Sequence, residues 1–270
     1  MTHLLINGSP LAPGRSPVRI GYREVGDGAP LVVLHGGWGS HIYPFDPQIA
    51  GLGHYRVILP DRTGYGGSET LDVQPMDFHQ RAAEETLAVL DALGLGRVSL
   101  WGHSDGAVIA FRLALTMPDR VNRIIAESTH LFRRKPASRA FFQTMRDRPE
   151  QLGERVTSTL AHEHGDRWRA LISTNGEAWL QLADSVENAA ADLYDGRLGD
   201  VRVPVLLVHG ESDPRTEPGE LAGIRACLPH AQVALLTGAG HSPHSERATA
   251  EVVTDLARRF LLGESLGRSG

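Results

Sequence analysis

The chain has 270 residues, enough to bury a full core as one large domain or as a domain with an insertion. Its formal net charge of −5 argues against nucleic acid or an anionic membrane as a partner, because both favour basic patches. Cys227 is the only cysteine, which excludes an internal disulfide and a cysteine metal cluster.

No apolar run approaches the roughly 20 residues that cross a bilayer, and the first residues lack the basic start of a signal peptide. We therefore expect a soluble, cytoplasmic protein. Of the 13 histidines, only His162-x-His164 and His241-x-x-His244 lie close in sequence, and neither spacing matches a zinc motif. We expect no metal and no cofactor.

Short apolar runs bounded by turn residues predict the strands in chain order. They are Val18–Val25, Leu31–Leu34, Tyr55–Leu59, Val98–Trp101, Val121–Ala126, Val203–Val208 and Ala231–Leu236. Several are apolar throughout, as parallel strands covered on both faces are. Helical periodicity is predicted over Arg81–Leu95, from Ser104 to Pro118, and over Glu246–Leu262. This alternation predicts an α/β fold, a mostly parallel twisted sheet with helices on both faces.

One long interruption separates the strand that ends near Ala126 from the one that starts at Val203. Apolar residues there recur at helical spacing in four groups, with Asn175-Gly176 between the last two. We predict a small helical cap over 131–196, placed over the carboxyl ends of the strands, and a core formed by 1–130 and 197–270. Periodicity alone leaves open a helical subdomain at the side of the sheet.

Ser104 lies in a Gly-x-Ser-x-Gly pattern, with Gly102 and Gly106, between a predicted strand and a predicted helix. A serine on so tight a turn needs small neighbours, because its backbone is strained while strand and helix nearly touch. The turn exposes the serine Oγ at the end of the strand, next to the first amides of the helix. A chance occurrence in a chain with 30 glycines is the alternative, and the flanking segments favour a nucleophile.

A serine becomes a good nucleophile when a base takes its proton and a third group orients that base. Asp213 follows the strand Val203–Val208, and His241 follows the strand Ala231–Leu236. If these strands are parallel, both loops leave the sheet at the same edge as Ser104. Glu127 and Glu211 remain alternative acids.

Five motifs together resemble the α/β-hydrolase family. Besides the serine turn, the acid loop and the histidine loop, they are His35-Gly36-Gly37-Trp38-Gly39 after an early strand and the turn from Asp61 to Ser68. The resemblance covers nearly the whole chain and is much more specific for the fold than for a substrate.

The resemblance implies a role for each matching residue. Ser104 would be the nucleophile, His241 the general base and acid, and Asp213 the orienting carboxylate. The backbone N–H groups of Asp105 and of Gly37, or else Trp38, would form the oxyanion hole.

The remaining polar residues have simpler interpretations. We expect His35 and His209 to hold loop geometry, the Asp61–Ser68 loop to set backbone turns, and His244 to lie at the surface or at a helix start. The run Arg133-Arg134-Lys135 is expected to be solvated.

Asp105 has two interpretations. Its carboxylate would stay clear of the cleft at the helix start, where the helix dipole favours negative charge. Alternatively it would face the acyl pocket and select substrates that carry a cationic amine, as the resemblance suggests for a Ser-Asp-Gly turn. The substrate-binding candidates are Trp38, His103, Asp105, His130, Phe132, Phe141, Phe142, Trp168 and Trp179. We expect at least half of the cap aromatics only to pack the cap on the core.

The resemblance implies a serine hydrolase that cleaves a carboxylic ester of a small or medium-sized substrate. Aspartate-nucleophile reactions on halides and epoxides are excluded because the position is Ser104. Other reactions that the same residues could catalyse are the hydrolysis of a C–C bond, a lactone or an amide, and cofactor-free peroxide chemistry. A ligand receptor with slow turnover is the alternative from another class. We expect a small-molecule substrate as partner, and the sequence leaves open a homodimer.

Overall fold

The computed structural model describes residues 2–266, so Met1 and residues 267–270 of the predicted core lie outside the described residues. Eight strands form one sheet in the order β1-β2-β4-β3-β5-β6-β7-β8. Their bounds are β1 Thr2–Ile6, β2 Val18–Val25, β3 Ala29–Leu34, β4 Tyr55–Pro60, β5 Val98–His103, β6 Val121–Glu127, β7 Val205–Gly210 and β8 Gln232–Leu236. The pairs β1–β2 and β2–β4 are antiparallel, and the pairs from β4 to β8 are parallel.

The central strands are apolar throughout because both faces of the sheet are covered. In β3, Leu31 and Val33 pack into one core cluster, whereas Val32 and Leu34 pack into the other. This alternation follows from the two-residue period of a strand, which sends successive side chains to opposite faces.

Eight helices surround the sheet in the described part of the chain. They are α1 Asp46–Gly51, α2 Phe78–Ala92, α3 Asp105–Thr116, α4 Arg139–Asp147, α5 Glu154–His164, α6 Trp168–Asp184, α7 Glu220–Cys227 and α8 Ala250–Leu261. Buried side chains of α2, α3 and α7 join one core cluster, and those of α1 and α8 join the other. The predicted mostly parallel sheet with helices on both faces is therefore the observed fold.

Several local predictions were wrong. The strand β1 was not predicted because it lies at the edge of the sheet and only Ile6 of its residues is buried, and the helices α1 and α7 were not predicted because they are too short to show a clear period. The run Asn175-Gly176 does not end a helix but lies inside α6. A Cβ at Gly176 would come within 2.7 Å of the Phe142 carbonyl oxygen, so this glycine serves close packing of α6 on α4 rather than a turn.

The helices α4, α5 and α6 all belong to the segment between β6 and β7 that we predicted as a cap. Phe141 and Phe142 of α4 and Trp179 of α6 line a cavity next to Ser104. The segment thus supplies one wall of the space above the serine. Between residues 2 and 266, no helix is both long and apolar enough to cross a membrane.

Candidate active site

Ser104 occupies a strained turn between β5 and α3. Its backbone angles are φ 54° and ψ −119°, a combination that costs a non-glycine residue about 1–3 kcal/mol. A Cβ at Gly102 would lie 2.2 Å from the Gly106 carbonyl oxygen, and one at Gly106 would lie 2.0 Å from that of Leu34. Both glycines are therefore required by backbone contact, and they let α3 start directly against the sheet with the Ser104 Oγ facing the cavity.

The structure brings together the three side chains that the sequence placed on separate loops. The Ser104 Oγ lies 3.0 Å from the His241 Nε2. The His241 Nδ1 lies 2.9 Å from each carboxylate oxygen of Asp213. With Nδ1 donating to Asp213, the His241 Nε2 is free to accept the serine proton.

Asp213 is held in its ionised, acceptor-only form. Burial favours the neutral acid, but the hydrogen bond and charge of His241 and the N–H of Arg215 keep the pKa of Asp213 well below its ordinary value. The acid and histidine loops meet closely, since a Cβ at Gly210 would lie 2.1 Å from the Gly240 carbonyl oxygen. A larger residue at Gly210 would push Asp213 away from His241.

The His241 loop is fixed from both sides by the polar side chains of Glu246 and His103. Glu246 accepts the N–H of Gly240 at 2.9 Å and that of Ser242 at 3.1 Å. The His103 Nε2 lies 3.0 Å from the His241 carbonyl oxygen and 3.0 Å from the Ser242 Oγ. Burial, followed by the charges of His244 and His241, lowers the pKa of His103 to about 3, so this ring stays neutral. His103 supports the loop and also lines the cavity.

The alternative acids occupy other positions. The Glu127 carboxylate accepts the Trp101 Nε1–H at 3.1 Å and contacts the His244 Nδ1 at 2.8 Å, and Glu211 is exposed. Of the described carboxylates, only that of Asp213 contacts the ring of His241. The expected surface position of His244 was wrong, because its ring is fully buried between Glu127 and the Tyr43 carbonyl oxygen. Its ring also stacks on Phe45.

The His35–Gly39 loop forms the side of the cavity that faces Asp105. The buried Arg62 guanidinium donates to the carbonyl oxygens of His35 and Gly36. The backbone N–H of Arg62 donates in turn to the His35 Nε2. His35 therefore holds loop geometry, as expected. His209 does the same on the acid loop through the Thr216 hydroxyl.

Gly37 and Asp105 lie on opposite sides of a narrow gap. A Cβ at Gly37 would come within 2.8 Å of the Asp105 Oδ2. Asp105 is the first residue of α3, and the first N–H groups of a helix lack an intrahelical acceptor. The cap also reaches this loop, because the Glu163 carboxylate of α5 accepts the N–H of Ser40 at 2.7 Å and that of His41 at 3.0 Å.

The cavity next to Ser104 has a volume of about 120 Å³. Seven of the predicted substrate-binding candidates line it, namely Trp38, His103, Asp105, His130, Phe141, Phe142 and Trp179. In the described part of the chain, the other two candidates do not line the cavity. Phe132 pairs with Asp192 in a bridge outside the cavity, and Trp168 is buried in the core under the Arg169 guanidinium. Since three of the five cap aromatics line the cavity, the expectation that at least half only pack the cap was wrong.

Sequence reasoning missed several lining residues, among them Tyr43, Asn175 and Arg215. The Arg215 guanidinium carbon lies 3.2 Å from the centre of the Phe141 ring and helps to close the cavity. Its position two residues after Asp213 was the available signal. The others come from elements whose orientation the sequence does not reveal.

Of the two interpretations of Asp105, the one that placed its side chain clear of the cleft was wrong, and so was the expectation that Lys135 is solvated. The Asp105 side chain does not turn away from the cleft but lines the cavity, and its Oδ1 lies 3.1 Å from the His79 Nε2. Burial opposes its ionisation, but the hydrogen bond and charge of His79 hold the pKa of Asp105 below its ordinary value. Lys135 is not solvated either, since it is only 2% exposed and forms a buried ion pair with Glu220.

Known proteins share this architecture. A family model described as the alpha/beta hydrolase family matches residues 31–255. The (E)-2-((N-methylformamido)methylene)succinate hydrolase of Acinetobacter baylyi is 31% identical over 212 residues, 72% of this chain and 76% of that one. The pimeloyl-(acyl-carrier protein) methyl ester esterase of Nitrosomonas europaea is 29% identical over 243 residues, 81% of this chain and 90% of that one.

A thermophilic esterase from Thermogutta terrifontis has a similar fold, with a TM-score of 0.73 over 97% of this chain and 99% of its own, at 21% identity. The family model spans most of the chain, and both relatives are hydrolases. The resemblance inferred from the five motifs is thereby confirmed. The chain belongs to the alpha/beta hydrolase family of enzymes.

Proposed function

We propose that this protein is a serine hydrolase that cleaves a carboxylic ester of a small or medium-sized substrate through an acyl-enzyme. The observation that carries the proposal is the continuous contact from the Ser104 Oγ to the His241 Nε2 and from the His241 Nδ1 to Asp213. A hydroxyl, a neutral imidazole and an ionised carboxylate in this order can attack an acyl carbon at neutral pH.

In acylation, the Ser104 Oγ attacks the ester carbonyl carbon while its proton moves to the His241 Nε2. The carbonyl oxygen becomes an oxyanion, which we assign to the backbone N–H groups of Asp105 and Gly37, with Trp38 as the alternative to Gly37. Removal of one such donor typically lowers the rate by about 10²–10³. His241 then returns the proton to the departing alkoxide, and the acyl group stays on Ser104.

In deacylation, water replaces the alcohol. His241 takes a proton from the water, the hydroxide oxygen bonds to the acyl carbon, and a second oxyanion forms at the same donors. The Ser104 Oγ then leaves with the proton from His241, and the carboxylic acid is released. Asp213 keeps His241 in the required tautomer throughout and stabilises the imidazolium.

Two features favour a small acyl group. The cavity volume is about 120 Å³, and the aromatic rings of Trp38, Phe141 and Trp179 limit it.

Ester hydrolysis is preferred because esters are frequent substrates of the family, and a relative acts on a methyl ester. C–C bond, lactone and amide hydrolysis would use the same residues and are the second choice.

The proposal is tested with p-nitrophenyl esters of increasing acyl length. We expect a burst of one p-nitrophenol per protein molecule as the acyl group is transferred to Ser104. The burst should be fastest for esters with short acyl chains. Ser104→Ala abolishes both burst and turnover while the unfolding transition persists. Binding of the ester with neither burst nor turnover in the wild type would instead indicate a receptor.

Asp105 supports a more specific candidate, an ester with a cationic amine on the acyl group. Its carboxylate lines the cavity directly after the nucleophile and is held in the ionised form. We expect Asp105→Asn to lower kcat/KM for an aminoacyl ester at least tenfold more than for its des-amino analogue, since hydrogen bonds to charged groups contribute about 1.5–3 kcal/mol. Equal losses for the two esters would exclude charge recognition by Asp105.

A further inference from the structure

A second histidine contacts the nucleophile. The His130 Nε2 lies 3.4 Å from the Ser104 Oγ, on the loop that follows β6. Its ring is nearly parallel to that of His241, with an angle of 17° and 5.8 Å between centres, and it packs edge-on against Trp179. Ser104 therefore has two imidazole partners, and the triad of Ser104, His241 and Asp213 in the proposed mechanism uses only one of them.

The proton position on His130 follows from a buried ion pair behind it. The Glu220 Oε1 accepts the N–H groups of Leu131 at 2.7 Å and Phe132 at 3.1 Å, and the Oε2 accepts that of Glu217 at 2.9 Å. Lys135 donates to the Oε1 as well. Both oxygens thus act only as acceptors, which is the behaviour of an ionised carboxylate.

The Lys135 ammonium fixes the tautomer of His130. The Lys135 Nζ lies 3.0 Å from the His130 Nδ1 and has protons to donate but no lone pair to accept one. The His130 Nδ1 must therefore be unprotonated, so the ring proton sits on Nε2. That N–H is directed at the Ser104 Oγ.

We propose that His130 is a further catalytic residue, a neutral imidazole that donates its Nε2–H to the Ser104 Oγ, and that Lys135 and Glu220 are positioning residues that lock its tautomer. This role rests on the proposed hydrolytic function. The 3.4 Å separation is long, as catalytic hydrogen bonds often are before a substrate binds.

The hydrogen bonds through Ser104 all run in one direction. Lys135 donates to His130, His130 donates to Ser104, Ser104 donates to His241, and His241 donates to Asp213. Hydrogen bonds in such a chain polarise one another. The chain therefore favours transfer of the serine proton toward His241. In deacylation the same N–H stabilises the Oγ as it leaves the acyl carbon, and His130 itself neither gains nor loses a proton.

The surroundings keep His130 neutral. Burial, followed by the charges of Lys135, His241, His79 and His209, holds its pKa well below the ordinary value. Burial lowers the pKa of the neighbouring Lys135 below its ordinary value, and the paired Glu220 carboxylate together with the charges of Glu217 and Asp213 opposes that shift. His130 therefore stays a neutral hydrogen-bond donor.

The first test measures the rate at which a fluorophosphonate labels Ser104, because this reaction needs no knowledge of the natural substrate. We expect His130→Phe, which keeps a ring but has no donor, to label about tenfold more slowly, the effect of one hydrogen bond of about 1.4 kcal/mol. In His130→Gln the amide oxygen can accept from Lys135 and the amide N–H can reach Ser104, so its rate stays within about threefold of wild type. The exposed His54→Gln is the matched control and is unchanged.

Equal rates for wild type and a folded His130→Phe would overturn the role of His130 while leaving the triad in place. Failure of the wild type to label would overturn the proposed function together with this inference.

The second test reads the tautomer in the wild-type protein, so no variant has to fold. Proton–nitrogen correlation spectra of the histidine rings should show the His130 proton on Nε2, and a proton on Nδ1 would refute the proposal. The charge-balanced double substitution Lys135→Met with Glu220→Gln removes the donor to the His130 Nδ1, so a ring proton on Nδ1 should appear in the same spectra. A proton that stays only on Nε2 in this folded variant would show that Lys135 does not fix the tautomer of His130.

Discussion

Substitution of Gly106 by alanine tests how closely the serine turn depends on backbone contact. An added Cβ would lie 2.0 Å from the Leu34 carbonyl oxygen, 2.6 Å from the Leu34 carbonyl carbon and 2.8 Å from the His35 carbonyl oxygen. All three atoms belong to the backbone of β3 and its loop, so no side-chain rotation relieves the clash.

The start of α3 would have to move away from β3 by more than about 1 Å to restore ordinary contact distances of about 3.5 Å. Overpacking of a dense core typically lowers the free energy of unfolding by about 1–3 kcal/mol. Because backbone elements must shift here, we expect a loss at the upper end of this range or above it. The same shift moves the Asp105 N–H and Ser104, and a misplacement of about 1 Å can lower a rate about 10²-fold.

We expect Gly106→Ala to lower the free energy of unfolding by at least about 3 kcal/mol in urea, and to slow fluorophosphonate labelling about a hundredfold at a temperature where it remains folded. Gly96→Ala is the matched control, because that glycine is exposed and nothing lies within 4 Å of an added Cβ. It should label at the wild-type rate and unfold within about 1 kcal/mol of wild type. A Gly106→Ala protein with wild-type stability and labelling would refute the reasoning.

Two further predictions concern the loops that frame the site. Burial raises the pKa of Asp61 to about 6, so the native state holds a proton that the unfolded chain releases, and stability falls as the pH rises from about 4 through 6. The side chain of Asp61→Asn can still accept the Gly67 N–H. In urea titrations, the free energy of unfolding of this variant should equal that of wild type near pH 4 and exceed it by up to about 3 kcal/mol near pH 8. Parallel stability curves for the two proteins would contradict this. Glu163→Gln leaves the N–H of Ser40 or His41 without a good acceptor, so we expect a loss of about 1–3 kcal/mol in stability and a lower kcat/KM for p-nitrophenyl acetate. The substitution Glu187→Gln at an exposed position is the control. Equal kcat/KM values for the two variants would show that Glu163 does not affect the active site.

Much of the framework could be predicted because its signals are local. A strand buried on both faces must be apolar throughout, as Leu31–Leu34 and Val205–Val208 are, and a serine turn pressed against a neighbouring strand must have Gly102 and Gly106. The helices α1 and α7 were not predicted because a few residues show no reliable helical period, and β1 was not predicted because an exposed edge strand lacks a continuous apolar run.

The errors near the site have a common physical cause. Lys135 and His244 belong to residue types that are usually exposed or partly exposed, and each is buried here because a distant carboxylate compensates it, Glu220 for Lys135 and Glu127 for His244. Their partners lie 85 and 117 residues away along the chain. Nothing in the immediate sequence records such a pairing.

By itself, the sequence determined the α/β architecture, the strained serine turn and the loops that carry Asp213 and His241, because glycine spacing and apolar periodicity act over a few neighbouring residues. Only the tertiary structure decided which side chains face Ser104, that Asp105 lines the cavity, and that His130 contacts both Ser104 and Lys135. Those outcomes depend on how separate elements pack, and the packing is set by contacts between residues far apart in the chain.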